Sequence, residues 1–298
     1  AFIVGRSTSI PTPAPPARFE IEWPGTSEGL DTSWQHYVEL SPDGRFLAIY
    51  SRDRLWVRPL DSVEARPLEG TEGATYPFWS PDGSSIAFFA GEELRKIPRE
   101  GGPPQVLCDA PNARGGSWSP DGTIVFSREL GTAGLFRVSD RGGNPELLTK
   151  VDTEGVASDH RYPQFLPEGR RFLFTLLFPS PEMGGIYVGD LAGGEPVRVL
   201  EGSDHALFAP STGKGSPGHL LFRRQSTLMA APFDPEELRI VASMFPIEEG
   251  VGGTGNTGHG AFSVARHGIV AVAEGQEVSQ ELRWVDRQGQ KGEIVVRG

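Results

Sequence analysis

The sequence predicts an all-β fold, a β-propeller of six blades with four antiparallel strands each, and three observations carry that prediction. The tetrapeptide SPDG begins at Ser41, Ser80 and Ser119, 39 residues apart each time, and a degenerate LPEG begins at Leu166, 47 residues further on. Short alternating apolar runs flank every copy. No stretch holds a 3.6-residue apolar period long enough to build a helical repeat of this length.

Each tetrapeptide reads as a tight turn, because proline presets its first corner and glycine supplies the positive φ at its last. The strand entering the turn is short and ends in a large residue: Leu40, Trp79, Trp118 or Phe165. The strand leaving it is RFLAIY, SSIAFF, TIVFS or RRFLFTLLF. A third strand follows in RLWVRPLD, ELRKIPRE, GLFRVSD and GIYVGDLAGG, and a fourth in ARPLEG, PQVLCD, PELLTK and PVRVLEG. Two weaker units run from HALFAP to RIVASMFPI and from GAFSVARHGIVAVAE to GEIVVRG. A four-stranded unit of ~40–45 residues cannot bury both faces alone, so it stacks on its neighbours around a channel. A sandwich has no need of six equivalent turns. The 39 glycines and 26 prolines suit many short strands and turns.

Composition narrows the function. A net charge of −11 argues against nucleic acid as a partner, since a phosphate-tracking surface needs clustered Lys and Arg. The one cysteine, Cys108, excludes an intrachain disulfide and a cysteine zinc cage. Residues 1–17 read as a membrane-proximal, proline-rich linker, with PTPAPPA favouring extended chain, and 18–298 as the propeller. AFIV reads as the stub of a longer apolar segment outside this chain, because four residues fall far short of the ~20 that span a bilayer.

FWSPDGSSIAFF, SWSPDGTIVF and LWVRPLDS resemble the TolB-like, WD-like propeller repeat over roughly residues 33–297. RPLEGTEGATYPFWSPDG, GIYVGDL, FSVARHGIVAV and the RFEIEWPG entry narrow the resemblance to the extracytoplasmic propeller of certain bacterial membrane-anchored serine/threonine protein kinases. That resemblance implies a noncatalytic sensor or binding module on the periplasmic side, tethered to the membrane through a segment outside this chain. Kinase motifs are absent here, so a kinase domain would lie elsewhere in the parent protein.

In such propellers the first strand of each blade is innermost, and the segment entering it lies at one mouth of the channel. The residues four to six places before each turn are His36, Thr75 and Tyr76, Arg114, His160 and Arg161, His205, and His259. Four of the six histidines fall in this one window. The candidate ligand site is therefore a ring at the channel mouth: His36, Tyr76, Arg114, Asp159, His160, Arg161, Asp204, His205 and His259. Its partner is a protein, peptide or small molecule. No metal and no cofactor is assigned, because histidines from separate blades need not converge on a zinc ion.

The repeated SDH at 158–160 and 203–205 has the letters of a hydrolytic triad, but consecutive residues of an extended chain point in different directions, and no G-x-S-x-G elbow is present. It is a repeat position. GTGNTG at 253–258 precedes a strand rather than a helix, and STGKGSPG at 211–218 lacks the first glycine and the hydroxyl of a phosphate loop. Asp43, Asp82 and Asp121 are expected to bond their own turns, and Trp79 and Trp118 to pack between blades. Two other roles are compatible with a propeller: the gating domain of a serine peptidase, and an envelope assembly module of the TolB type.

Overall fold

The computed structural model describes residue 21 and residues 37–128, 134–150, 159–178, 183–202, 205–211, 216–254, 258–274, 281–285 and 291–297. Every described element is a strand. Blade one is β1 (Val38–Leu40), β2 (Phe46–Ser51), β3 (Arg54–Pro59) and β4 (Arg66–Pro67). Blade two is β5 (Thr75–Trp79), β6 (Ser85–Ala90), β7 (Glu93–Pro98) and β8 (Gln105–Asp109). Blade three is β9 (Gly116–Trp118), β10 (Thr123–Ser127), β11 (Leu135–Ser139) and β12 (Glu146–Leu147). Blade four is β13 (Asp159–Phe165), β14 (Arg171–Leu177), β15 (Gly185–Asp190) and β16 (Val197–Glu201). Blade five is β17 (Ala206–Ala209), β18 (Gly218–Arg224), β19 (Thr227–Asp234) and β20 (Arg239–Ile240), with β21 (Phe245–Glu248) also paired to β19. All five are antiparallel meanders in chain order.

The sixth unit departs from the expected four strands. After the short ladder of β22 (Gly253–Thr254) with β23 (His259–Gly260), it is the hairpin of β24 (Phe262–Val264) with β25 (Val270–Val272). The chain's last strands, β26 (Glu281–Val285) and β27 (Lys291–Arg297), form a separate two-stranded ladder. The structure thus has five full blades and a reduced sixth unit. The edge strand expected from RFEIEW lies outside the described residues except for Ile21, which packs beside blade one and the sixth unit.

Burial explains why the ring nevertheless closes. Each apolar cluster joins one unit to the next: Leu55, Val57 and Leu68 of blade one meet Trp79, Ile86 and Phe88 of blade two. Phe89 and Leu94 meet Ile124 and Phe126 of blade three, and Val125 and Leu135 meet Phe172 and Phe174 of blade four. Leu173 and Ile186 meet Phe208, Leu220 and Phe222 of blade five, and Leu221 and Leu228 meet Phe262 of the sixth unit. The last joint sets Ala261, Ala265 and Ala273 against Val38, Leu40, Leu47 and Ile49 of blade one. Small residues let β24 and β25 approach β1 closely.

The turns form as the tetrapeptide predicts. In blade two, Gly83 N donates to Ser80 O at 2.9 Å with Gly83 at φ 69°, the left-handed region where a Cβ is penalised. Ser80 Oγ donates to Asp82 Oδ1 at 2.6 Å and accepts from Ser85 N at 2.9 Å, and Asp82 also accepts from Ser84 N at 3.0 Å. Asp43 and Asp121 bond Arg45 N and Thr123 N in the same way, so these aspartates serve the turns. Ser119 differs, donating to Gly169 O in the turn of the next blade at 2.7 Å.

Ser80→Ala removes both bonds of a buried hydroxyl and is expected to cost about 1–2 kcal/mol in denaturant unfolding. Ser84→Ala, at the exposed tip of the same turn, is expected to change stability by less than about 0.5 kcal/mol.

Candidate functional site

The inner strands β1, β5, β9, β13, β17 and β24 surround the axis, and the side chains they send inward form layers counted back from the turn. The residue four places before it is Tyr37, Tyr76, Gly115, Tyr162, His205 or Ala261 in the six units. Tyr37, Tyr76, Tyr162 and His205 meet at the axis with His259, which reaches in from two residues earlier in the sixth unit. Ring centroids are 4.9 Å apart for Tyr37–Tyr76, 5.5 Å for Tyr76–His259, 4.9 Å for Tyr162–His205 and 5.1 Å for Tyr37–His259. His205 and His259 stack at 4.9 Å with a 20° interplanar angle. All five rings are buried.

Two local devices make this possible. Tyr76 and Tyr162 lie in register shifts of β5 and β13, at φ 46° and 53°, each followed by a proline. A bulge re-aims a side chain out of strict alternation, and here it turns each phenol to the axis. Gly115 supplies the space: a Cβ there would lie 3.1 Å from Tyr162 Cα and 3.2 Å from its Cδ1.

Burial sets the protonation of this layer. His205 is lowered to about 4 by burial, and Gly260 N donates to its Nδ1 at 3.2 Å, which puts the ring proton on Nε2. His259 is held well below the ordinary imidazole value by burial first and by neighbouring His205 and Arg223 next. The Tyr37 phenol is pushed up by burial and then by Tyr76 beside it. Tyr37, His205 and His259 are thereby held in their neutral forms.

On the turn side of the plug lies a blind cavity of about 380 Å³ whose floor is Tyr76, Tyr162, His205 and His259. Its wall includes the residues two places before each turn: Glu39, Phe78, Ser117, Gln164, Leu207 and Ser263. Three of them cap the next unit's inner strand. Phe165 N donates to Ser117 Oγ at 3.0 Å, Phe208 N to Gln164 Oε1 at 2.5 Å, and Leu40 N to Ser263 Oγ at 2.9 Å. Trp79 Nε1 donates to Glu39 O at 2.9 Å, so this tryptophan both bridges blades and lines the cavity. The rim is formed by Pro42, Pro81, Pro120, Pro167 and Pro210, with exposed Arg266 in the sixth place.

Glu39 is the one carboxylate in the cavity lining. Ser263 Oγ donates to its Oε2 at 3.1 Å, and burial, only partly opposed by that bond, pushes it up to about 8. The neutral acid is therefore its main form at pH 7.

The residues proposed from sequence separate accordingly. Tyr76, His205 and His259 come together on the axis, as the floor of a cavity that opens on the opposite, turn side. Arg114 sits at 6.0 Å from the Tyr76 ring and donates to Ala113 O at 2.8 Å. Arg161 pairs with Asp159 at 2.5 Å, away from the cavity lining. His160 also stands apart: its Nδ1 is 2.8 Å from Thr149 Oγ1, its ring packs on Phe174, and burial lowers it to about 4. His36 and Asp204 lie outside the described residues. The sequence reading missed Tyr37, Tyr162 and Glu39. Among the described residues no three His, Cys, Asp or Glu side chains converge as metal ligands.

No protein-family model matches the chain, and no curated protein matches it. Solved structures do. A putative TolB from Agrobacterium tumefaciens superposes with a TM-score of 0.61 at 18% identity, over 81% of this chain and 90% of that one. TolB from Acinetobacter baumannii gives 0.56 at 15%, over 72% and 54%. An oligogalacturonate lyase in complex with manganese gives 0.50 at 14%, over 72% and 64%. The chain is similar in fold to TolB-like propellers, and because one neighbour is an enzyme the fold alone assigns no activity.

Two pH effects of opposite sign follow. Glu39 binds its proton more tightly folded than unfolded, so the stability it contributes below about pH 4.5 is lost as pH rises toward about 8. Glu39→Gln is expected to remove that loss and to be the more stable protein at pH 9, by on the order of 2 kcal/mol. His160 and His205 are neutral when folded and protonate near 6.5 when unfolded, so stability falls as pH drops from 6.5 toward about 4. Urea unfolding across pH 4–9 checks both.

Proposed function

We propose that the chain is a noncatalytic binding or sensing propeller that works outside the cytoplasmic membrane. Its ligand, a protein segment, peptide or small molecule, enters the blind channel from the turn side. The observation that carries this reading is the channel itself: it is plugged at one end by five buried rings, walled by aromatic and apolar side chains with Glu39, Ser117, Gln164 and Ser263 among them, and open at a proline rim. Its volume falls within the ~300–1,000 Å³ of small-ligand pockets. Rigid prolines at the rim lose little freedom when a partner docks on them.

The imidazoles support binding over acid–base chemistry. His205 Nδ1 is taken by a backbone N–H, and the two stacked rings are held against Tyr37, Tyr76, Tyr162 and Phe262. The thiol of Cys108 is buried, and burial raises it to about 11, where little thiolate forms. The extracytoplasmic setting and the link to a membrane-anchored kinase rest on the sequence resemblance. A peptidase-gating or TolB-type assembly role would use the same channel mouth with a different partner.

Thermal unfolding against a panel of peptides, sugars, amines and anions tests the reading, since whatever binds only the folded state stabilises it, by about 2.7 kcal/mol at one hundred times Kd. Ser117→Phe, which fills the channel from its wall, is expected to abolish the shift, and His160→Ala, away from the cavity, to leave it intact. A shift that survives Ser117→Phe and disappears in Arg114→Ala would move the site to the other face.

A further inference from the structure

We infer that the group seated in this channel is a primary ammonium on a flexible chain, held between the Glu39 carboxylate and the aromatic lining. The inference rests on the channel being the binding site and names the chemistry it selects.

Glu39 is the starting point. Carboxylates withdrawn from bulk water are as a rule paired with a cation or held by several donors, and Glu39 is half-buried in β1. Glu39 has a single hydrogen bond, from Ser263 Oγ, and no ion pair among the described residues. Its side chain lines the cavity at the level between rim and floor, and the fixed positive charge of that lining, Arg266, stands at the exposed rim. Burial holds the two imidazoles at the channel floor, His205 and His259, in their neutral forms. An acid in this position lacks a cationic partner, and the channel has room to admit one.

The remaining wall favours the same class. Tyr76, Trp79, Trp118 and Tyr162 line the cavity, and aromatic faces attract cations most strongly where water is excluded. Anions are opposed by the net charge of −11. A guanidinium is matched less well than an ammonium, because its planar fork asks for both carboxylate oxygens and Oε2 already accepts from Ser263. A compact ammonium needs only the free oxygen. When it enters at pH 7, the neutral Glu39 carboxyl gives its proton to solvent and the ligand keeps its charge, so binding releases up to one proton.

Isothermal calorimetry at pH 7, in two buffers of different ionisation enthalpy, tests the inference. Two ammonium probes, n-butylammonium and acetyl-Gly-Lys-Gly-amide, are compared with the Nε-acetylated lysine peptide, acetyl-Gly-Arg-Gly-amide and butyrate. The ammonium probes are expected to bind with net proton release and to weaken roughly tenfold or more in Glu39→Gln, where the release also vanishes. Tighter binding of the lysine peptide than of butylammonium identifies a protein side chain as the source, and the reverse a free amine. Arg266→Glu, on the exposed rim, is expected to tighten the ammonium probes and keeps the test open if the Glu39 variant folds poorly. Neutral or anionic probes that bind as well as ammonium, and are blocked by Ser117→Phe, would overturn the ammonium assignment while leaving the channel as a binding site. Ammonium binding indifferent to both Glu39→Gln and Arg266→Glu, or no ammonium binding at all, would overturn it as well. Binding that Ser117→Phe fails to block would overturn the channel reading itself.

Discussion

Six inner strands meet at one axis, and the packing of rings where they meet shapes everything else in this molecule. A propeller leaves a hole along its axis, and a hole lined by backbone exposes polar groups that need partners. Here Tyr37, Tyr76, Tyr162, His205 and His259 fill one end, with Gly115 yielding its side-chain space to Tyr162 and His259 arriving from a different offset. The filled end converts a channel into a pocket. It also removes the imidazoles from the list of groups that titrate near neutrality.

The other end stays open because the repeat places proline there. In blades one to three the SPDG turn that joins the first two strands puts a proline on the rim and an aspartate on its own backbone, and Pro167 and Pro210 continue the rim. Between rim and plug, Ser117, Gln164 and Ser263 cap N–H groups of the following unit, so the polar wall is also a set of inter-unit fasteners. Glu39 is the exception: it occupies the same layer and caps nothing. A carboxylate that fastens no neighbouring strand, placed in the cavity on the propeller axis, is the strongest functional signal among the described residues.

Much of this was legible in the sequence. SPDG and its spacing identify the turns, the strand order and the propeller, because proline, glycine and aspartate each have a local physical reason to be there. The reduced sixth unit was less legible: ARHG at 265–268 closes a turn like SPDG, with Gly268 N donating to Ala265 O at 3.2 Å, yet its outer strands are not paired to β25. The window four to six places before the turn was the right window, but it holds three consecutive residues that point three ways. The bulges at Tyr76 and Tyr162 decide which one turns inward, and a bulge is a tertiary outcome that alternation does not announce. The twice-repeated Tyr-Pro was the available clue. Glu39, between Val38 and Leu40, carries no signal of its own in the sequence, and only closure of the ring shows that this position looks into a cavity.

The most direct measurement of the plug is an NMR titration of the His205 and His259 side chains through their imidazole ¹⁵N shifts. A sealed plug predicts that His205 stays neutral down to about pH 4, with its proton on Nε2, and that His259 stays neutral well below the ordinary imidazole value. Titration of either ring near the ordinary value of 6.5 would mean that water reaches the axis from both faces, and that the channel is open rather than blind.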